Sequence, residues 1–401
     1  MALNVKVGLI GPLDMLKFKN MAKVRETEIQ KAPAKEISGD FTINTKAKML
    51  HPDVQELEIT DIINHGEAGA KTFVFKSTSD HVAYFRAGQY LSIKEQIGES
   101  FITRPYSISS SPADALLGKI AITVKTNPSG YAAEHFLKEW TIGTKVLASD
   151  PQGQFYYEPM RDGSTVIACA GGSGITPFLS MARAIRDGVE NFNLVILFGS
   201  RNRDSILFAE EFDEICKACD KIKVVHVLSE EEAEGYEHGF IDANLIKKYA
   251  PASDYSVFIC GPEAMYRFIE KELPALNLPG KNIRRELLGV TKNVWEQTGY
   301  PAECRDKTFK ITVKRGPSEC VIDASANESV LVALERAGIK APSRCRSGEC
   351  GWCRSKLVSG SVFVPEENEG RRFSDIQFNY IHPCASFATS DLVLEVAGEY
   401  Y

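Results

Sequence analysis

Nowhere in its 401 residues does the chain hold a run of about 18 apolar side chains, so nothing in it reads as a membrane-spanning helix. The early segment VKVGLIGPLDML is apolar only in part. Pro12 and Asp14 interrupt it, and no small-residue cleavage site follows, so it does not read as a secretory signal. Basic side chains are not in excess either: 47 Lys and Arg stand against 53 Asp and Glu, a formal charge of -6. That balance offers no strong positive field to a nucleic acid or an anionic membrane. Cysteine is too scarce for a disulfide scaffold, since the chain has ten, and four of those fall in one neighbourhood. Such usage fits a reducing cytoplasm. Internal repeats and low-complexity tracts are also lacking.

What is present divides into segments. Residues 1–50 mix charges with a prolyl break and read as an N-terminal extension, a helix or arm. Over 51–160, short alternating runs such as LEITDII, KTFVFKS and KIAITVKT are divided by Gly, Asn, Asp and Pro, the pattern of a small antiparallel β-barrel. Over 161–290 strands alternate with helices: TVIACA, FLSMARAIRDG, NLVILFGS, FAEEFDEICKACDK, KVVHVLS, SVFICGP. This predicts a doubly wound parallel α/β domain. Residues 291–306 have neither period and read as a linker. Residues 307–401 return to strands, with one helix in ESVLVALERAG.

The stretch RCRSGECGWC sets Cys345, Cys350 and Cys353 in a C-x4-C-x2-C array, and Cys384 stands apart downstream. Four thiolates hold zinc or an iron–sulfur cluster. Structural zinc usually takes two close pairs, whereas three ligands on a loop and a distant fourth match 2Fe–2S spacing. Gly348 and Gly351 let the backbone approach the inorganic sulfides. Cys216 and Cys219 form a C-x2-C inside a helical pattern with no second pair, which reads as packing.

Over about Lys307 to Val396 the sequence resembles the plant-type ferredoxin family, which implies a β-grasp fold. Upstream, RPYS at Arg104, Pro105, Tyr106 and Ser107 resembles the R-x-Y-S motif of the ferredoxin-NADP reductase superfamily. The resemblance implies that Arg104 pairs with a flavin phosphate, that Tyr106 lies on the isoalloxazine, and that Ser107 faces its N5. Gly130 opens a helix whose free N–H groups suit the flavin pyrophosphate; Tyr131, Ala132 and Ala133 follow it where the family often has Ser or Thr, which leaves FAD and FMN both open. Gly171, Gly172 and Gly174, between a buried strand and a helix started by Thr176 and Pro177, suit dinucleotide phosphates. Cys260, Gly261 and Pro262 match the family's late C-G-P, which places Cys260 between nicotinamide and flavin or makes it a small buried residue. Glu286 resembles an acidic residue near the flavin, or forms a surface ion pair. Glu230, Glu231 and Glu232 follow the strand where a 2'-phosphate is read, so NADH is expected over NADPH, with Arg201 and Arg203 able to compensate.

The order of these motifs resembles the phthalate dioxygenase reductase-like type. It implies hydride transfer from NADH to flavin, with Ser107, Cys260 and Glu286 at the reacting centre. A flavin takes two electrons together and releases them singly, which a one-electron cluster requires. The expected acceptor is a partner redox protein such as an oxygenase or a corrinoid protein. Two other readings are a self-contained reductase of a small molecule and a relay subunit of a larger complex.

Overall fold

The computed structural model describes residues 12–31, 41–52, 54–79, 82–127, 130–286, 289 and 291–398. The chain falls into two units, Met1–Lys46 and Ala47–Tyr401. In the first, α1 runs Pro12–Lys31, and α2 (Thr42–Leu50) crosses the boundary. Those side chains of α1 that are described are exposed. Much of the expected extension, residues 1–11 and 32–40, lies outside the described residues.

The second unit begins with β1 (Val54–Asn64), β2 (Ala70–Ser77), β3 (Tyr90–Ile97), β4 (Ser100–Ser107), α3 (Pro112–Leu116), β5 (Lys119–Lys125), α4 (Tyr131–Glu139) and β6 (Lys145–Ser149). The six strands form an antiparallel sheet in the order β4-β3-β6-β1-β2-β5. It curls until its two edges meet, where Ile108 bridges Ile122. Alternation along the strands sends one set of side chains inward: Leu57, Ile59, Phe73, Phe75, Leu91 and Ile93 are fully buried. Phe136 of α4 and Trp140, just past its end, plug the core with rings stacked at 4.1 Å.

The next segment alternates β7 (Thr165–Gly171), α5 (Thr176–Arg186), β8 (Asn193–Ser200), α6 (Ala209–Ala218), β9 (Ile222–Leu228), β10 (Glu237–His238), α7 (Ala243–Tyr249), β11 (Tyr255–Cys260), α8 (Glu263–Glu272) and β12 (Ile283–Arg285). Its sheet is wholly parallel, in the order β10-β9-β8-β7-β11-β12. Every residue of β7 is buried because both faces of the sheet are covered. Val166, Ala168 and Ala170 meet α5 and α6 on one face, while Ile167 and Cys169 meet α7 and α8 on the other. Strand order reverses at β7, so the crevice between β7 and β11 is the topological switch point at which such sheets bind ligands.

The last segment contains β13 (Thr308–Arg315), β14 (Ser318–Ser325), α9 (Val330–Arg336), β15 (Ser355–Ser359), β16 (Val362–Phe363), α10 (Phe373–Gln377), β17 (Tyr380–Ile381), β18 (Phe387–Ala388) and β19 (Leu392–Glu395). Its five-stranded sheet runs β14-β13-β19-β15-β17, with β13 and β19 parallel and the other pairs antiparallel. Val330, Ala333 and Leu334 of α9 pack on Ile311, Val313 and Leu394. Curled antiparallel sheet, parallel α/β layer and β-grasp sheet are the three folds expected from the sequence.

Candidate active site

Three residues far apart in sequence meet at the switch point. Ser107 closes β4, Cys260 closes β11, and Glu286 follows β12. The Ser107 hydroxyl donates to Glu286 Oε2 at 3.0 Å, and Cys260 Sγ lies 3.8 Å from the same oxygen. Glu286 is only 6% exposed, and its other oxygen, Oε1, is buried without a hydrogen-bond partner. Burial raises its carboxyl to about 8 against the pull of the Ser107 and Cys260 hydrogen bonds. It is therefore a buried acid, mostly protonated at neutral pH, and not a surface ion pair.

The backbone around this acid is fixed by Tyr266, which the sequence reading did not single out. Its hydroxyl donates to the Glu286 carbonyl, and the Glu286 N–H donates to Ile259 O at 3.1 Å. Gly261 N donates back to the Tyr266 hydroxyl at 3.4 Å. One phenol thus joins the end of β12 to the C-G-P turn. The only local signal for it is a tyrosine one turn into the helix after Pro262.

Ser107 and Glu286 line a cleft of about 950 Å³, and its wall includes Pro105, Tyr106, Gly171, Gly172, Gly174 and Thr176. Cys260, Gly261, Pro262 and Ala133 line it as well. Gly130 caps α4 behind this wall, and Pro177 is buried in the first turn of α5. The glycines serve packing as much as ligand approach. A Cβ on Gly174 would sit 2.2 Å from the Cys260 carbonyl oxygen, and one on Gly171 would sit 2.6 Å from Met265 Sδ. Gly172, with φ +53°, faces open space except for Lys125 Nζ at 4.0 Å. Lys125 is a second residue absent from the sequence reading. It ends β5, half-buried in the cleft wall, and burial together with the neighbouring Arg201 lowers its pKa. A cation in this position suits the phosphates of a dinucleotide seated on the glycine turn.

Arg104 lies under this floor and is already engaged. Its Nη1 is 3.1 Å from both carboxylate oxygens of Glu335, a residue of α9. Tyr106 is half-buried in the cleft wall, its ring 6.0 Å from that of Phe136.

The four predicted thiols come together on the neighbouring face. Cys345, Cys353 and Cys384 are buried and Cys350 is exposed. Cys353 Sγ lies 3.4 Å from Cys384 Sγ, and Cys345 is in side-chain contact with Cys350 and Cys384. Backbone N–H groups converge on the sulfurs: Ser347 N and Cys350 N lie 3.5 and 3.4 Å from Cys345 Sγ, and Trp352 N lies 3.5 Å from Cys350 Sγ. Donors aimed at sulfur hold the thiolate form that iron needs. Gly348 (φ +89°) and Gly351 (φ +69°) turn the loop, and a Cβ on Gly348 would fall 2.3 Å from Asn368 O. His382 Nδ1–H donates to Gly348 O at 2.5 Å, which fixes that turn from below. Between the two sites stands Tyr90, buried and paired across the sheet with Ser107. Burial together with the charges of Cys345, Cys350 and Glu286 pushes its hydroxyl above the ordinary range, so it is in electrostatic reach of both sites.

Comparison with known proteins agrees with this geometry. Residues 61–157 match an oxidoreductase FAD-binding domain, 169–271 an oxidoreductase NAD-binding domain, and 313–389 a 2Fe-2S iron-sulfur cluster binding domain. The chain is 28% identical over 339 residues to a component of the 1,2-phenylacetyl-CoA epoxidase of Escherichia coli, covering 81% of this chain and 92% of that protein. It is 26% identical over 341 residues to the glycine betaine monooxygenase reductase subunit of Chromohalobacter salexigens, covering 81% and 91%. The solved structure of phthalate dioxygenase reductase superposes with a TM-score of 0.62 at 25% identity, over 86% of this chain and 98% of that one. When bound, nicotinamide supplies hydride, flavin divides the electron pair, and the cluster carries single electrons onward. With the flavin-motif strand, the glycine turn at the switch point and the cysteine loop in one unit, the chain belongs to the ferredoxin-NADP reductase superfamily, as a phthalate dioxygenase reductase-like protein that binds FAD, NADH and a C-terminal 2Fe–2S cluster.

Proposed function

We propose that this NADH-dependent reductase is the electron-delivering component of an oxygenase system. The observation that carries the reading is the meeting of Ser107, Cys260 and Glu286 in a cleft whose wall also includes Ser347 of the cysteine loop. Relatives named as a monooxygenase reductase and as part of an epoxidase support an oxygenase as acceptor, and none of them supports a corrinoid protein. The flavin occupies residues 51–160, NADH 161–290, and the cluster 307–401, across a linker over 291–306. Arg104, Tyr106 and Ser107 receive the flavin, with Gly130 at its pyrophosphate. Gly171, Gly172, Gly174, Thr176 and Pro177 form the dinucleotide turn, and Cys345, Cys350, Cys353 and Cys384 bind iron. Among the described residues no helix is long and apolar enough to cross a membrane, and the cysteine usage supports a cytoplasmic location. The test is NADH oxidation with and without the cognate oxygenase. Product formation that requires both proteins is the expected result, whereas full turnover of a small acceptor by this chain alone would overturn it.

Lys125 contributes binding and not chemistry. Lys125→Ala is expected to raise KM for NADH about tenfold, worth about 1.4 kcal/mol, with kcat nearly unchanged. A fall in kcat at unchanged KM would refute that role.

Coenzyme choice rests on Glu231 in particular. Arg203 Nε is 2.6 Å from Glu231 Oε1 and its backbone N–H donates to Oε2 at 3.0 Å, so this guanidinium is engaged. A 2'-phosphate must displace that pair, which favours NADH. Glu231→Ala is expected to improve kcat/KM for NADPH about tenfold and to leave NADH within about twofold. Equal kcat/KM for the two coenzymes in the unmodified protein would contradict the assignment.

A further inference from the structure

The loop that carries the cluster ligands and the strand that carries the flavin motif share one buried carboxylate. Glu335, on α9, is 4% exposed. Its oxygens take Arg104 Nη1 at 3.1 Å, Arg346 Nη1 at 2.5 Å and the Thr103 N–H at 3.3 Å. Arg346, 3% exposed, directly follows the ligand Cys345. Its φ is +62°, a left-handed conformation that a side-chain-bearing residue keeps only when its surroundings hold it there. Ionised groups buried this deeply persist only when paired. Two guanidiniums also share the single carboxylate, and the residual positive charge leaves Arg104 able to meet a flavin phosphate.

Weaker contacts lie along the same interface. Arg344 Nη2 is 3.4 Å from Asp150, and Lys340 Nζ stands 4.3 Å above the Phe101 ring. Both side chains reach from the segment between α9 and the ligand loop to the barrel. Of these contacts only the Glu335 triad centres on a buried carboxylate, and it alone ties the flavin-motif strand to the residue next to Cys345.

We propose that Glu335 is a positioning residue that seats the cluster loop on the flavin-motif strand and thereby sets the geometry for electron passage from flavin to cluster. Its hydrogen bonds go to the Thr103 N–H, Arg104 and Arg346 and to no cluster cysteine. It acts through Arg104, which anchors the strand, and through Arg346, which holds the loop at Cys345. The inference rests on the proposed placement of the flavin at Arg104, Tyr106 and Ser107.

The test is Glu335→Gln in the full-length protein, with flavin and iron content matched to the parent. After rapid mixing with NADH, flavin bleaching is expected within about twofold of the parent. Passage of electrons to the cluster is expected to slow about tenfold or more, since a misplacement of about 1 Å is costly where geometry sets the rate. The electron paramagnetic resonance spectrum of the reduced cluster is expected to shift, because Arg346 loses its anchor, and Glu335→Asp is expected to recover part of both effects. If Glu335→Gln does not accumulate, Arg346→Lys keeps the charge, removes the fork and is expected to give the same split. A matched variant with parental transfer rate and parental spectrum would overturn the proposal. Failure of NADH to bleach the flavin in the parent itself would overturn the proposed function instead.

Discussion

Replacing Cys384 with serine is expected to reduce electron delivery to a protein acceptor by more than about a hundredfold while leaving flavin reduction by NADH nearly intact. Cys384 is 2% exposed and lies in the turn after β17, with its sulfur 3.4 Å from that of Cys353. A serine hydroxyl is a harder and shorter donor in place of a soft thiolate, so the iron held there is lost or its potential is altered. The hydride step is expected to be spared because its proposed residues, Ser107 and Cys260 at the ends of β4 and β11 and Glu286 just after β12, lie on elements that do not contain the substitution. Iron and acid-labile sulfide content, stopped-flow flavin absorbance and acceptor reduction measure the three parts separately. Zinc without iron or sulfide in the unmodified protein would sink the cluster, and loss of flavin reduction in a folded variant would sink the order of transfer.

The cysteine set, the R-P-Y-S strand, the glycine turn and the C-G-P turn were legible because each is local. The spacing of Cys345, Cys350 and Cys353 is fixed by one loop and that of the other motifs by one strand end or turn, while Cys384 was legible as the single distant fourth thiol that such a loop requires. Glu286 was legible only by resemblance. Its neighbours in sequence do not distinguish a buried acid from a surface one, and its burial arises from β11, α8 and Ser107, which arrive from elsewhere. Lys125, Tyr266 and Glu335 were missed for the same reason. Lys125 is the last residue of an ordinary alternating strand, and Glu335 stands in a helix whose pattern, ESVLVALERAG, marks it as a solvent-facing charge. Only the approach of the β-grasp layer to β4 turns it into the partner of two arginines. Gly174 was found for an incomplete reason: beyond any ligand, the Cys260 carbonyl occupies the space a side chain would need. The coenzyme loop presented three equivalent carboxylates in sequence, whereas in the structure Glu231 is the one paired with Arg203.

Glu286 gives the second large effect, and its sign follows from its protonation. A hydride brings negative charge into the cleft beside this side chain, which a neutral carboxyl tolerates and a carboxylate opposes. Flavin reduction is therefore expected to decline as pH rises through about 8, where Glu286 ionises. Glu286→Gln resembles the protonated form, so its rate is expected within a few-fold of the parent at pH 7 and flat across that range. Glu286→Leu offers no polar atom to Ser107 or Cys260 and is expected to slow flavin reduction by about a hundredfold. Stability carries an independent signature. The carboxyl titrates near 8 in the folded chain against 4.5 for its ordinary value, so between those limits the folded state binds more protons than the unfolded state. This group's contribution is most favourable below about 4.5, becomes less so as pH rises, and levels off above about 8, a change on the order of 5 kcal/mol. Glu286→Leu lacks that slope, so the difference in Tm between variant and parent is expected to widen in the variant's favour from pH 5 to pH 8. Parallel Tm curves together with a pH-independent parental rate would show that Glu286 is ionised throughout and that the burial argument fails.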